Sequence, residues 1–291
     1  MTVLVFGATG AIGRRLVEVL LAQGVTVRAL VRRPADAGLP TEVEVVQGDV
    51  LSGEGVAEAL AGAERAVYLV HSMGGGADDF AARDRRAAET VGALAATAGL
   101  ERLVYLGGLE SDTADSEHLR SRREVAEIFA RHVPGTVHAR AAMVIGPGSA
   151  SFLMLHALVR RLPAMVCPRW IDTQTQPIAM DDVVAALADL VTRDDAPAEA
   201  QLGGADVLTY EAMMERMAHA IGRRPPVVIR VPFLTPRLSS YWVTLVTPVE
   251  LGLVQPLVDG LAAEMVVTEQ PPPGVNDAPM GFEDAVVAAL A

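Results

Sequence analysis

Lysine is absent: every one of the 24 basic side chains among the 291 residues is arginine. No phosphate-binding loop ending in Gly-Lys-Ser/Thr can therefore form. No side-chain amine can make the Schiff base on which pyridoxal enzymes and lysine-type aldolases depend. Asparagine is reduced to Asn276. A GC-rich coding bias explains both depletions and the surplus of Ala, Gly, Val and Arg, but not what stands where chemistry wants a lysine. Cys167 is the single cysteine, which excludes an internal disulfide and points weakly to a reducing compartment. Aromatic residues make up 4%, so Ala, Val and Leu must fill the core. Basic charge is scarce as well: 24 basic against 36 acidic side chains give a net charge of −12, which argues against a nucleic-acid partner. Proline or charge interrupts each apolar stretch before the roughly 18 residues of a membrane span. The opening Met-Thr-Val-Leu-Val-Phe-Gly has no basic leader, so no signal peptide is expected and a cytoplasmic protein is. No metal-site spacing and no Gly-x-Ser-x-Gly elbow occur.

What is present is alternation. Near-continuous apolar runs over 3–6, 25–31, 43–46, 66–70, 103–106 and 136–145 read as strands. Between them, helical spacing appears over 12–22, 55–61, 79–98 and 121–132. This order predicts a doubly wound α/β fold, with a parallel sheet covered on both faces. Residues 1–150 form the expected Rossmann core and 151–291 a smaller mixed lobe, with 175–200 returning to the core. In the second half, helices are expected over 152–162, 183–192 (capped by Asp181), 210–221 and 247–263. Strands are expected over 175–179 and 227–231, and 205–208 leads into the helix at 210.

The strongest local signal is Gly7-Ala8-Thr9-Gly10-Ala11-Ile12-Gly13, after the first strand and opening the first helix. In this setting Gly7 permits a tight turn, Gly10 lets the backbone approach a pyrophosphate at the helix amino end, and Gly13 lets the helix press on the sheet. A dinucleotide site is predicted. The second strand ends in Arg32-Arg33 with no acid, the pattern that suits a 2′-phosphate and hence NADP(H). Asp49, followed by Val50, is placed to hold the adenine amine.

The segments GATGAIG, VRRP, GDV, VYLVHSMGGG, LVYLGGL and VIGPGS follow the order and spacing of extended or atypical short-chain dehydrogenase/reductases, and the chain resembles the NmrA-like and complex-I-accessory-subunit-like members. The resemblance covers residues 1 to about 230. It implies a cofactor site that also takes in Val70, His71, Ser72, Gly107, Val144, Ile145 and Gly146. It further implies a serine ending the fifth strand and a Tyr-x-x-x-Lys on the next helix, the tyrosine acting as proton donor and the lysine holding the nicotinamide ribose. Those positions here read Gly108, His118 and Arg122. Arg122 can keep the ribose and charge roles but not exchange protons. His118 becomes the candidate acid or base, and Ser121 a substitute hydroxyl.

Other candidates are less specific. Met73 to Gly76 reads as a loop over the cofactor, and Asp84 as part of a solvated or dimer-facing charged stripe. Trp170, Phe152 and Met154 read either as a pocket wall or as core, and Gln174 to Gln176 as a flank of the substrate pocket. Tyr241, Trp242, Leu245, Val249 and Leu253 form an apolar helix face. Three functions suit the sequence. The first is an NADP(H)-dependent oxidoreductase acting on a small, largely apolar carbonyl or enone, as monomer or homodimer. The second is a non-catalytic NADP(H)-binding redox sensor or structural protein. The third is a non-redox isomerase or cyclase on the same scaffold.

Overall fold

The computed structural model describes residues 1–72, 80–109, 117–231, 247, 258 and 260–291. In chain order the first half contains β1 (Thr2–Phe6), α1 (Ala11–Ala22), β2 (Thr26–Val31), β3 (Glu44–Gln47), α2 (Val56–Leu60), β4 (Arg65–Tyr68), α3 (Phe80–Ala98), β5 (Arg102–Gly108), α4 (Glu117–His132) and β6 (Thr136–Ala141). The second half contains β7 (Val144–Ile145), α5 (Ala150–Arg161), β8 (Ala164–Cys167), β9 (Gln174–Thr175), β10 (Ile178–Ala179), α6 (Met180–Thr192), β11 (Glu199–Leu202), β12 (Leu208–Thr209), α7 (Tyr210–Ala220), β13 (Val227–Arg230) and α8 (Phe282–Leu290).

The strands β11-β6-β5-β4-β1-β2-β3 form one seven-stranded sheet, parallel at every pairing. Period-2 alternation explains why β1 is buried on both sides. Val3 and Val5 pack with Leu16 and Leu20 of α1 and Val183 and Leu187 of α6. Leu4 and Phe6 face the opposite layer, with Val56 of α2, Val91 of α3 and Phe129 of α4. Three two-stranded sheets, β7 with β10, β9 with β12 and β8 with β13, belong to the remaining lobe. There α5, α7 and α8 enclose a second core around Phe152, Leu155, Met213, Met217 and Phe282.

Several expected elements differ. The strand over 136–145 is two: β6 stays in the main sheet, while β7 leaves it to pair with β10. The strand β11, with two polar residues in four, was not legible as a strand, yet it extends the main sheet beside β6. The segment 205–208 leads into the short strand β12 at Leu208–Thr209, and β8 was not anticipated. Asp181 does not cap its helix. The cap position is Ala179, and Asp181, inside the first turn, pairs with Arg15 across to α1. The glycine stretch 73–76, the apolar face over 241–253 and most of the helix expected over 247–263 lie outside the described residues.

Candidate active site

The sheet order reverses direction between β1 and β4, and in doubly wound sheets ligands bind at the carboxyl ends of the strands beside such a switch point. The glycine loop lies there. Gly7 has φ +85°, and its absent Cβ would stand 3.2 Å from the Leu69 backbone. Gly10 N–H donates to the Gly7 carbonyl at 3.0 Å, closing the turn. A Cβ on Gly13 would lie 2.2 Å from that same carbonyl oxygen, so the first turn of α1 presses directly on the loop. Arg14 braces the loop from outside, donating from Nε to Thr9 O at 3.1 Å and from Nη1 to Gly38 O at 2.8 Å. No side chain caps α1 at Gly10, so its amino-terminal N–H groups remain free for a ligand. A helix end of partial positive charge beside a side-chain-free surface fits a pyrophosphate.

A cavity of about 470 Å³ runs from this loop along the ends of β4, β5 and β6 into the second lobe. Among the sequence candidates, Gly7, Gly10, Ala11, Ile12, Gly13, His71, Gly107, His118, Arg122 and Val144 line it. The rest of its wall is largely apolar and includes Leu69, Leu106, Met143, Met154, Trp170, Met180 and Met214.

His118 and Arg122 stand one turn apart on α4, which brings them together. Arg122 Nε–H donates to His118 Nε2 at 3.1 Å, and Nη1–H to the Leu106 carbonyl at 3.3 Å. The Tyr105 hydroxyl is a further polar neighbour of the guanidinium. Burial, reinforced by the Arg122 charge, pushes the His118 pKa down to about 3. The imidazole is therefore neutral near pH 7 and accepts, rather than donates, at Nε2. His71 is lowered by the same two causes, to about 4, and its ring lines the cavity.

Behind the cavity floor, His138 stacks on Tyr105 with ring centroids 5.5 Å apart. Its Nε2 sits 2.2 Å from where a Gly107 Cβ would be, so no side chain fits at 107. At Gly108 the nearest atom to an added Cβ is Leu119 Cδ2, at an ordinary 3.4 Å.

Other candidates are placed differently. Asp84 is not merely part of a solvated stripe: one carboxylate oxygen accepts from Ser72 N–H at 2.8 Å, fixing the segment after β4, and burial raises its pKa. Ser121 is buried beside Ala81 and Arg85 and does not line the cavity. Asp49 Oδ1 accepts from Leu51 N–H at 2.7 Å, closing its own turn. Arg32 and Arg33 are exposed at the end of β2, with Arg33 3.7 Å from Asp36. Ala8 and Val50 are core residues, Thr9 is exposed, and Val70 and Ser72 are half-buried without reaching the cavity. Ile145 belongs to the second core, and Gly146 is packed against Met180. Trp170 and Met154 are both buried and on the cavity wall, whereas Phe152 stacks on His156. Gln176 bonds Gly204 O and Val267 N, a clamp within the lobe. Arg14, Tyr105 and the cavity methionines other than Met154 were missed. Only Arg14, directly after the glycine motif, carried a sequence signal.

Residues 7–143 match a family described as NAD(P)H-binding. A ceramide reductase of Caulobacter vibrioides is 30% identical over 292 residues, covering 96% of this chain and 87% of that protein. The chain belongs to the NAD(P)H-binding short-chain dehydrogenase/reductase superfamily. Solved members share its fold from end to end. An NADPH-dependent quinone oxidoreductase from Escherichia coli, solved with NADPH, gives a TM-score of 0.78 at 18% identity over 99% of this chain and 100% of that one. The triphenylmethane reductase of Citrobacter sp. complexed with NADP(H) gives 0.75 at 17% identity over 99% of both chains. Among the described residues no helix is long and apolar enough to cross a membrane, and no group of side chains suits a metal ion.

Proposed function

We propose that this chain is an NADPH-dependent oxidoreductase of the atypical, NmrA-like branch, acting on a small, largely apolar carbonyl or enone. The observation that carries this reading is one continuous cavity, with the glycine loop at one end, the His118–Arg122 pair beside it and apolar side chains beyond. When bound, the dinucleotide supplies hydride. The glycine loop and the amino end of α1 would hold its pyrophosphate, and Arg32 with Arg33 its 2′-phosphate. Asp49 keeps one carboxylate oxygen for the adenine amine. Arg122 would hold the nicotinamide ribose, and Val144 faces the cavity where the carboxamide would lie. The apolar wall excludes water from the reacting end, and the likeness to a ceramide reductase supports including lipid-type ketones among the substrates.

One observation favours a second reading, NADP(H) binding without turnover: among the described residues no side chain at the reacting end is an acid near neutrality, because His118 and His71 are neutral and Arg122 keeps its proton. A screen of NADPH consumption over ketones, enones, quinones and long-chain ketones decides between them. Turnover of one class is expected. NADPH binding without turnover of any would establish the second reading.

A further inference from the structure

Arg122 is a half-buried cation with no ion pair among the described residues. Its donors are aimed rather than neutralised. Nε is committed to His118 Nε2, Nη1 to the Leu106 carbonyl, and the Tyr105 hydroxyl lies beside them. None of these partners carries charge. The other charged or titratable groups around the pair are Asp84 on α3, His71 after β4 and His138 on β6. Asp84 is turned to the backbone of Ser72. Arg122 acts on the Asp84 carboxylate only at a distance, and a half-buried guanidinium whose hydrogen-bond partners are all neutral favours a ligand that brings negative charge. The wall beyond it, with Met143, Met154, Met180, Met214 and Met265, supplies apolar and adaptable contacts.

The geometry points to a preformed oxyanion seat: with Nε bonded to His118 and Nη1 to Leu106, the remaining N–H groups of Arg122, beside its ribose contact, bind the single negatively charged oxygen head of an amphiphile whose hydrocarbon chain lies along the methionine wall, and His118 is the positioning residue that orients the guanidinium. Its use in turnover rests on the reductase reading. As a carbonyl takes up hydride from the reduced dinucleotide at carbon, the C=O π pair moves to oxygen, where Arg122 meets the new charge. The proton that completes the alcohol comes from water, since neither the guanidinium nor neutral His118 can give one. A carboxylate of similar length is a stable occupant of the same seat.

The test is calorimetric titration of the NADPH-saturated protein with decanoate and with 1-decanol, which share a chain and differ in the charged head. Decanoate is expected to bind the wild type about tenfold tighter or more, as a charge-assisted hydrogen bond implies. That preference should vanish in Arg122→Gln and Arg122→Met, shrink in His118→Phe, and return in part in His118→Gln, which restores an acceptor. Imidazole NMR adds a readout that a merely structural role would not move: His118 should carry its proton on Nδ1, and its pKa should rise in Arg122→Gln yet stay below the ordinary histidine range, because burial, the larger cause, remains. Equal affinities in the wild type, or a preference that survives loss of Arg122, would overturn the seat, and the wild-type comparison decides even where a variant does not fold. The two readings fail separately. An Arg122-dependent carboxylate preference without turnover of any carbonyl upholds the seat and removes the reductase, while turnover without the preference does the reverse.

Discussion

Replacing Gly13 and Gly10 by alanine, one at a time, separates packing of the loop from its contact with the cofactor. At position 13 the new methyl would stand 2.2 Å from Gly7 O, 2.8 Å from Ala8 Cα and 2.9 Å from Gly7 C. All three are backbone atoms, so no flexible side chain can yield. The loop and α1 must part by about 1 Å to reach ordinary contact. Overpacking of this kind costs about 1–3 kcal/mol, and in a chain of this size lowers Tm by several degrees. The displaced N–H groups should also weaken NADPH binding by about one to two decades, or about 1.4–2.8 kcal/mol. Position 10 is different. Its backbone is extended, at φ −74° and ψ 169°, and an added Cβ meets only Gly7 O at 3.3 Å. Alanine there is sterically near neutral for the fold, yet its methyl occupies the surface a pyrophosphate must approach. Gly10→Ala should therefore keep the wild-type Tm without cofactor and still lose at least about tenfold in NADPH affinity. Thermal unfolding of the cofactor-free variants, paired with fluorescence titration of NADPH, reads both quantities. Wild-type NADPH affinity in Gly10→Ala, or wild-type Tm and affinity together in Gly13→Ala, would refute the assignment of this loop as the phosphate cradle.

Cofactor choice is tested by the double variant Arg32→Ala, Arg33→Ala, which should lose about tenfold or more in NADPH affinity with little change for NADH; parallel losses would remove the 2′-phosphate role. Acid stability should report His138, which is buried in the neutral form with a pKa lowered to about 3, first by burial and then by Arg140 and Arg122. Its folded pKa lies below the unfolded value of about 6.5, so its contribution is complete above about pH 6.5 and is lost as pH falls toward 3. The loss is about 1.4 kcal/mol per pH unit, or about 2 kcal/mol by pH 5. Denaturant unfolding of His138→Ala between pH 7 and 5 should show lower stability throughout but a shallower pH slope; an unchanged slope would mean the ring is protonated in the folded chain.

The glycine loop and the inner strands were legible because burial on both faces leaves little besides apolar residues in β1, β4 and β5, and because helix α1 begins directly on the motif. The edge was not. Strand β11 exposes Glu199, which pairs with Arg140, so its polar face reads as loop. The break after Ala141 was hidden because Ala142 and Met143 continue an apolar run while the backbone changes sheets. At the site, His118 and Arg122 could be paired from their separation of four on a helix. Which of the acid and base roles open to His118 prevails could not, since it depends on the depth of its burial and on the direction of one guanidinium bond. Met154 apart, the methionine wall was equally hidden: its members come from segments scattered between residues 143 and 265, with no shared period to mark them.

The two glycines that end β5 are not equivalent. One is fixed from behind: with the His138 ring nitrogen 2.2 Å from its missing Cβ, position 107 cannot gain a side chain unless His138 changes as well. The other is open, because a Cβ at 108 meets only Leu119 Cδ2 and Arg122 Cδ, at 3.4 and 3.7 Å. The hydroxyl that the family resemblance leads one to expect at this point is therefore not shut out by space. A single codon change to serine at 108 would set an O–H donor beside Arg122 without moving the sheet, which makes the present glycine a choice of chemistry that evolution, or an engineer, could reverse in one step.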